Sequence, residues 1–322
     1  MSMSKTRTTS KCLNIAFIFQ TSVGSINSSF TEENISIVKK VTLPDGSEIP
    51  YVSGQAMRRY IRDKWQEMGL PISPVHRVTT GVAGQATATS KCSPQEYIDD
   101  DLFGFMLSKI GDIRKRTSPV RVSPAVAFFR FQDDRDLGVR ITEEGKEDPT
   151  KMMPPFETEV YYNYFICSVL VDLERIGVFG EDNYGKEKRP KDLSVDERRK
   201  RLTALVMAVR DLWGGGKQAR FLTDIAPKFV SYTRQSVKKP IFLERVEMRE
   251  DETIDVTSIA QTLKDEGGII DRTIVGVADG FGGIKVGQEI SWEHGGKETK
   301  VPVEAISEAF DKIIQDATSV VT

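Results

Sequence analysis

The chain has 322 residues, 39% hydrophobic and 29% charged, which is the composition of a soluble globular protein with one large core or two modest ones. No apolar run approaches the roughly 18 residues of a membrane span, and the opening MSMSKTRTTSK lacks the apolar stretch of a secretory signal, so no membrane partner is expected and the expected location is cytoplasmic. The formal charge of −2 argues against a nucleic-acid partner only until its distribution is considered: from Val246 onward 7 Lys/Arg stand against 16 Asp/Glu, while the preceding residues carry 38 against 31.

Leu13 to Gln20 alternates Leu13, Ile15, Phe17 and Phe19 against Asn14 and Gln20, predicting a strand with at least one buried face. Met57, Tyr60, Ile61, Trp65 and Met68 recur at helical spacing behind Ser53, a suitable N-cap, and Gly69 with Pro71 ends the helix. Pro71 to Pro119 is richer in Gly, Ser, Thr and Pro, with one short helix expected around Tyr97 to Ile110; it reads as an insertion. Val120 to Phe131 is strand-like, with Pro124 at an edge or bulge. Gln132 to Glu159 is strongly charged and reads as a projecting hairpin. Val160 to Leu173 is a long strand, apolar on both faces and therefore central. Ser194 and Glu197 fit a capping box opening a helix whose buried stripe is Leu202, Leu205, Val206, Val209, Leu212 and Trp213, stopped by Gly214 to Gly216. Pro227 to Thr233 supplies another strand, and a helix is expected from Pro302 to Ile314. The order strand, helix, strand, strand, helix, strand is that of an α+β ferredoxin-like (RRM-like) plan.

Catalytic chemistry finds little material. His76 and His294 are the only histidines, and Cys12, Cys92 and Cys167 are too few and too far apart for a zinc site or a disulfide framework. Gly214 to Lys217 lacks the Ser/Thr of a phosphate loop and follows a helix instead of preceding one. Asp99, Asp100 and Asp101 suit helix capping better than metal binding, and Asp133, Asp134 and Asp136 face the same judgement. No cofactor, metal or catalytic residue is expected.

Basic and polar residues offer more. Gln55, Arg58 and Arg62 share one face of the first helix, with Arg59 beside them; such guanidinium forks grip phosphates, although a solvated face with an Arg59–Asp63 pair fits equally. Lys217, Gln218 and Arg220 follow glycines that allow close approach to a ligand. Asn14, Gln20, Thr21, Ser22 and Asn27 add uncharged donors, Arg114, Lys115, Arg116 and Arg121 a further basic cluster, and Arg198 to Arg201 a basic helix start. On the hairpin, Met152, Met153 and Phe156 either wedge between bases or fill the hairpin's base.

The segments IFQTSVGSIN (Ile18 to Asn27), YVSGQAMRRYIR (Tyr51 to Arg62), RTSPVRVSPAVAF (Arg116 to Phe128) and GGGKQARF (Gly214 to Phe221) together resemble the DevR-like Cas-seven family, the backbone subunits of type I CRISPR Cascade, most closely the I-B branch. The resemblance covers Leu13 to about Arg245. It implies a right-hand architecture: a palm from residues 11–70, 120–131 and 160–245, a finger insertion at 71–119 and a thumb hairpin at 132–159, with the acidic portion 246–322 beyond. It also implies copies stacked along a guide RNA, with Gln20, Asn27, Ser53, Gln55, Arg58 and Lys217 to Arg220 on the guide. Further partners would be target DNA and the guide-end-capping, large and small subunits. Such a filament accepts any guide sequence, so it should hold sugar-phosphate and leave base edges free. Two other functions stand beside it: an RNA endonuclease using Asp45, which otherwise reads as part of a Pro-Asp-Gly turn, and a sequence-specific regulator.

Overall fold

The computed structural model describes residues 10–79, 86–109, 111–139, 142–143, 146, 148, 153–180 and 182–322. Its centre is strand β1 (Cys12–Gly24), paired antiparallel on both sides. Besides the short strands Ser28–Glu32, Ile35–Val38 and Lys40–Thr42, the main sheet holds β2 (Glu48–Val52), β3 (Val120–Val122), β4 (Ala125–Ala127), β5 (Asp134–Gly138), β6 (Phe156–Asp172), β7 (Phe229–Gln235), β8 (Ile270–Val277), β9 (Glu289–His294) and β10 (Lys297–Ala305). Across the sheet the order is β9-β10-β8-β7-β1-β6-β4-β2, with Lys40–Thr42 paired to β2 at the edge. Phe17 faces Cys167 on one side and Val230 on the other.

Both faces of β1 are buried, so its residues serve two cores. Leu13, Ile15, Phe17 and Phe19 pack with Phe165 under three helices: α1 (Gly54–Glu67), α3 (Val195–Arg210) and α5 (Ile306–Ser319). Ala16 and Ile18 face the other way, with Phe229, and are covered by Phe242, Ile259 and Leu263. Ile259 and Leu263 come from α4 (Val256–Asp265), so the acidic C-terminal portion is the lid of the second core. Asn14 survives beneath this lid because its amide is answered, donating to Ser168 Oγ at 2.8 Å and accepting from the Phe242 amide at 3.3 Å.

The strongest periodicities are realised. Ser53 Oγ accepts from the Ala56 amide at 3.3 Å and opens α1, which buries Met57, Ile61 and Trp65. The strand from Val160 runs from Phe156 and lies between β1 and β4. Pro124 interrupts its partner, splitting β3 from β4, and Ser123 mends the gap by donating its amide to the Ser168 carbonyl and accepting the Ser168 amide on Oγ, both at 2.9 Å.

Four expectations need correction. The capping box forms by half: Ser194 Oγ accepts from the Glu197 amide, but the Glu197 carboxylate goes to Arg201 at 3.3 Å. Trp213 lies past the end of α3, 43% exposed, donating to Glu67 at 2.7 Å. The helix expected to Ile110 is only Ile98–Phe103 (α2), because Gly104 takes φ +67 against the Arg116 carbonyl, where a Cβ would collide, and the chain turns into a hairpin at Phe105–Lys109. The last helix starts at Ile306, since Val303 to Ala305 are held in parallel pairing with Val275 to Val277.

Buried charge fastens the insertion to the helices. Asp101, fully buried, pairs with Arg116 at 2.5 Å and Arg201 at 2.9 Å and accepts from the Gly177 amide at 3.1 Å. Asp99 accepts from the Ser73 amide at 2.9 Å and Asp100 from the Ser93 amide at 2.8 Å. These carboxylates are structural acceptors. Arg116, read as an RNA contact, is 2% exposed and donates to Asp101, Asp182 and the Val178 carbonyl, so it cannot reach a ligand. The basic helix start is likewise committed: Arg198 donates to the Ile176 carbonyl at 2.8 Å and Arg199 to that of Val321 at 3.0 Å.

Candidate nucleic-acid interface

At the end of β1 the chain bends through Gly24, Ser25, Ile26 and Asn27, and this short segment joins two of the sequence-predicted clusters. On one side Asn27 Oδ1 accepts the Ser53 amide at 3.0 Å, fixing the residue that caps α1. Tyr60 Oη donates to the Ile26 carbonyl at 3.0 Å, and burial pushes its phenol up to about 12. On the other side the Gly216 amide donates to the same Ile26 carbonyl at 2.7 Å. The glycine loop and the start of α1 therefore meet on the same short segment; the first turn of α1 carries no acidic residue, and its Ala56 amide is taken by the Ser53 cap.

Gly216 is required by this approach, since a Cβ there would sit 2.7 Å from the Ser25 carbonyl oxygen. Gly216→Ala should cost about 1–3 kcal/mol through the forced displacement. A drop in urea midpoint with an unchanged slope checks it.

Beyond the glycines Lys217 turns through φ +58 and sends Nζ to Thr158 Oγ1 at 3.0 Å, at the root of the β5–β6 hairpin. Burial lowers its ammonium pKa, and Arg220 nearby adds to the effect. Arg220 donates to Thr158 Oγ1 at 3.3 Å and to Asp136, with its guanidinium over the rings of Phe156 and Phe221, each at 5.1 Å. Gln218 Nε2 donates to Thr223 Oγ1 at 2.8 Å, while its Oε1 and the buried Ser25 Oγ take no hydrogen-bond partner among the described residues. The Gly24–Asn27 bend thus joins the α1 start to the glycine loop, and Lys217 and Arg220 continue from that loop to Thr158, with Asp136 paired to Arg220.

Other predicted residues are placed elsewhere. Gln55 is exposed on the first turn of α1. Arg58 and Arg62 lie over the Phe103 ring at 4.6 and 4.9 Å; Arg58 donates to the Phe103 carbonyl at 2.5 Å and Arg62 pairs with Asp99 at 3.1 Å, so this row of guanidinium groups packs the insertion onto α1. Burial brings Arg58 down to about 10. Arg59 pairs with Asp63 at 2.8 Å, as its spacing allows. Thr21 is fully buried against Asn163, whereas Ser22 is exposed. Gln20 turns to the second face of the sheet and donates to Tyr162 and Tyr164. Arg121 is exposed on β3.

On the hairpin, Asp134 pairs with Val160 and Gly138 with Phe156. Phe156 packs against Gly138, in the pair next to the connecting segment, and under the Arg220 guanidinium. Met153 is half exposed, and Met152 lies outside the described residues. Asp45 accepts from the Ser47 amide at 3.0 Å and pairs with Arg130 at 2.5 Å; the Ser47 bonds hold its carboxyl below the usual range, as a turn aspartate requires. Neither Tyr60 nor Thr158 was expected at the site from the sequence. Tyr60 lies within the YVSGQAMRRYIR segment, but its place in the apolar stripe hid the hydroxyl's role.

Residues 15–256 match the family described as CRISPR-associated negative auto-regulator DevR/Csa2. No curated protein matches the sequence. Among solved structures, a chain of a "CRISPR RNA-guided surveillance complex" is similar with a TM-score of 0.58 at 14% identity, covering 95% of this chain and 99% of that chain. A chain of a "CRISPR RNA-guided surveillance complex, pre-nicking" gives 0.62 at 12% identity, covering 95% of this chain and 100% of that one. At such identities the likeness is one of fold.

Proposed function

We propose, because the chain belongs to the CRISPR-associated DevR/Csa2 family, that it is the non-catalytic backbone subunit of a type I-B surveillance complex. Copies line a guide RNA in the cytoplasm, hold its sugar-phosphate and present its bases to target DNA, beside the end-capping, large and small subunits. The observation that carries this function is the meeting of the α1 start, the Gly24–Asn27 bend and Lys217 to Arg220 at the root of the hairpin. The four strands β7-β1-β6-β4, with α1 and α3 on one face, support a ferredoxin-like palm, and the β5–β6 pairing supports a thumb. Backbone contact fits better than base stacking on the sheet, because the face that recognition modules use for stacking is here largely beneath the C-terminal portion.

An RNA endonuclease using Asp45 is the second reading. The Ser47 and Arg130 contacts of that carboxylate favour a turn role. Fluorescence anisotropy of purified protein with two unrelated single-stranded RNAs of equal length tests the proposal. Affinities within about threefold are expected, with log affinity falling steeply against log salt. A single preferred sequence would point to a regulator instead. Cleavage of bound RNA in magnesium, lost in Asp45→Ala, would establish the nuclease.

A further inference from the structure

A recess lies where the C-terminal cover of the sheet ends. Tyr162 and Tyr164 stand next to each other on β6, ring centroids 6.0 Å apart and nearly perpendicular at 86°. Phe129 meets Tyr164 edge-on at 6.0 Å. Glu252 closes the recess from the acidic portion, accepting from Tyr164 Oη at 2.8 Å. The cavity between them measures about 260 Å³, and the Tyr162 side is open, with that residue 49% exposed.

Two features mark it as more than a gap in packing. Glu252 has φ +63, a left-handed conformation that is uncommon and costly for a residue with a Cβ, and this turn is what delivers its carboxylate to the aromatic rings. Asp134 lines the same recess, while the cation lining it, Arg130, turns its guanidinium away to Asp45 at 2.5 Å.

We infer that this recess receives an arginine side chain from a second copy of this chain. Aromatic faces attract a cation through the ring quadrupole, and a planar guanidinium stacks on a tyrosine while offering donors to a carboxylate. A nucleotide would bring its phosphate towards Glu252 and Asp134, and an apolar side chain would leave the charge of Glu252, which only the neutral Tyr164 hydroxyl meets in this recess, without a cation. Charge complementarity indicates the source: Glu252 belongs to the acidic portion, whereas the body of the chain has a cationic excess and carries Arg77 and Arg121 exposed, without an ion pair among the described residues. Only the identity of the arginine's donor rests on the proposal that copies assemble along RNA.

The test compares wild type, Tyr162→Ala and the conservative Glu252→Gln in binding to an RNA long enough for one copy and to one long enough for several, together with sedimentation without RNA. Both variants should bind the short RNA as wild type does and lose about tenfold in affinity on the long one, through lost contact between copies. An equal loss on both RNAs would assign the recess to a nucleobase and overturn the inference. So would variants that match wild type in every measurement. Wild type that binds neither RNA would sink the RNA-binding proposal; the inference would then stand only if wild type self-associates more strongly than both variants in sedimentation.

Discussion

Asp101→Ala should be the most damaging single substitution in this chain, lowering stability by about 3–5 kcal/mol, the range for removing one partner of a buried ion pair. Asp101 is fully buried and answers two arginines, Arg116 at 2.5 Å and Arg201 at 2.9 Å, whose own exposures are 2% and 4%. Removing the carboxylate strands part of two guanidinium groups in a medium that solvates charge poorly. The Gly177 amide loses its acceptor as well. Because Asp101 links the insertion to α3, the damage should propagate to the anchoring of residues 71–119. Urea unfolding followed by tryptophan fluorescence measures the loss directly, and limited proteolysis should cut the insertion first. Wild-type stability in the alanine variant would show that the network is idle. Arg201→Met offers a control, since it removes one cation while Arg116 keeps its partner, and should cost less.

How legible all this was depended on the range of the interaction concerned. Periodicity is a local signal, so β1, β6, α1 and α3 could be read from alternation, helical spacing and the capping serines. The fate of each arginine is not local. Arg116 looked like a member of a basic cluster, and its partners Asp101, Val178 and Asp182 come from separate segments. Arg58 and Arg62 share a face as the spacing requires, but Phe103 and Asp99 cover it, and both belong to an insertion whose docking the sequence does not specify. Thr21 could have been assigned correctly: it continues the odd-numbered face of Leu13, Ile15, Phe17 and Phe19 and is buried like them. The C-terminal portion gave a clear charge signal and an unclear structural one, because Ile254, Ile259 and Leu263 are scattered among acidic residues and form a face only once laid on the sheet.

Neutralising Lys217 and Arg220 together should have the largest effect on RNA binding, a loss of about 10- to 100-fold at moderate salt with a salt slope shallower by about 1.4, the expectation for two fewer phosphate contacts on a single strand. Both side chains converge on Thr158 Oγ1, Lys217 at 3.0 Å and Arg220 at 3.3 Å, so their charges are placed at one spot and a phosphate bound there meets both. Arg220 also holds Asp136. Removing the guanidinium exposes that carboxylate to the ligand, so the double variant should lose more than the sum of two independent contacts. Lys217→Gln with Arg220→Gln keeps a polar side chain at both positions and should leave thermal unfolding close to wild type, since both cations are part-exposed and their pairs contribute little to stability. The slope separates the possible failures. A weaker variant with the wild-type slope has lost shape and not charge, whereas wild-type affinity with a wild-type slope would move the phosphate contacts away from the glycine loop altogether. Arg58→Gln is the matching comparison on the other side of α1: with its guanidinium on Phe103, it should lower stability and leave the salt slope unchanged.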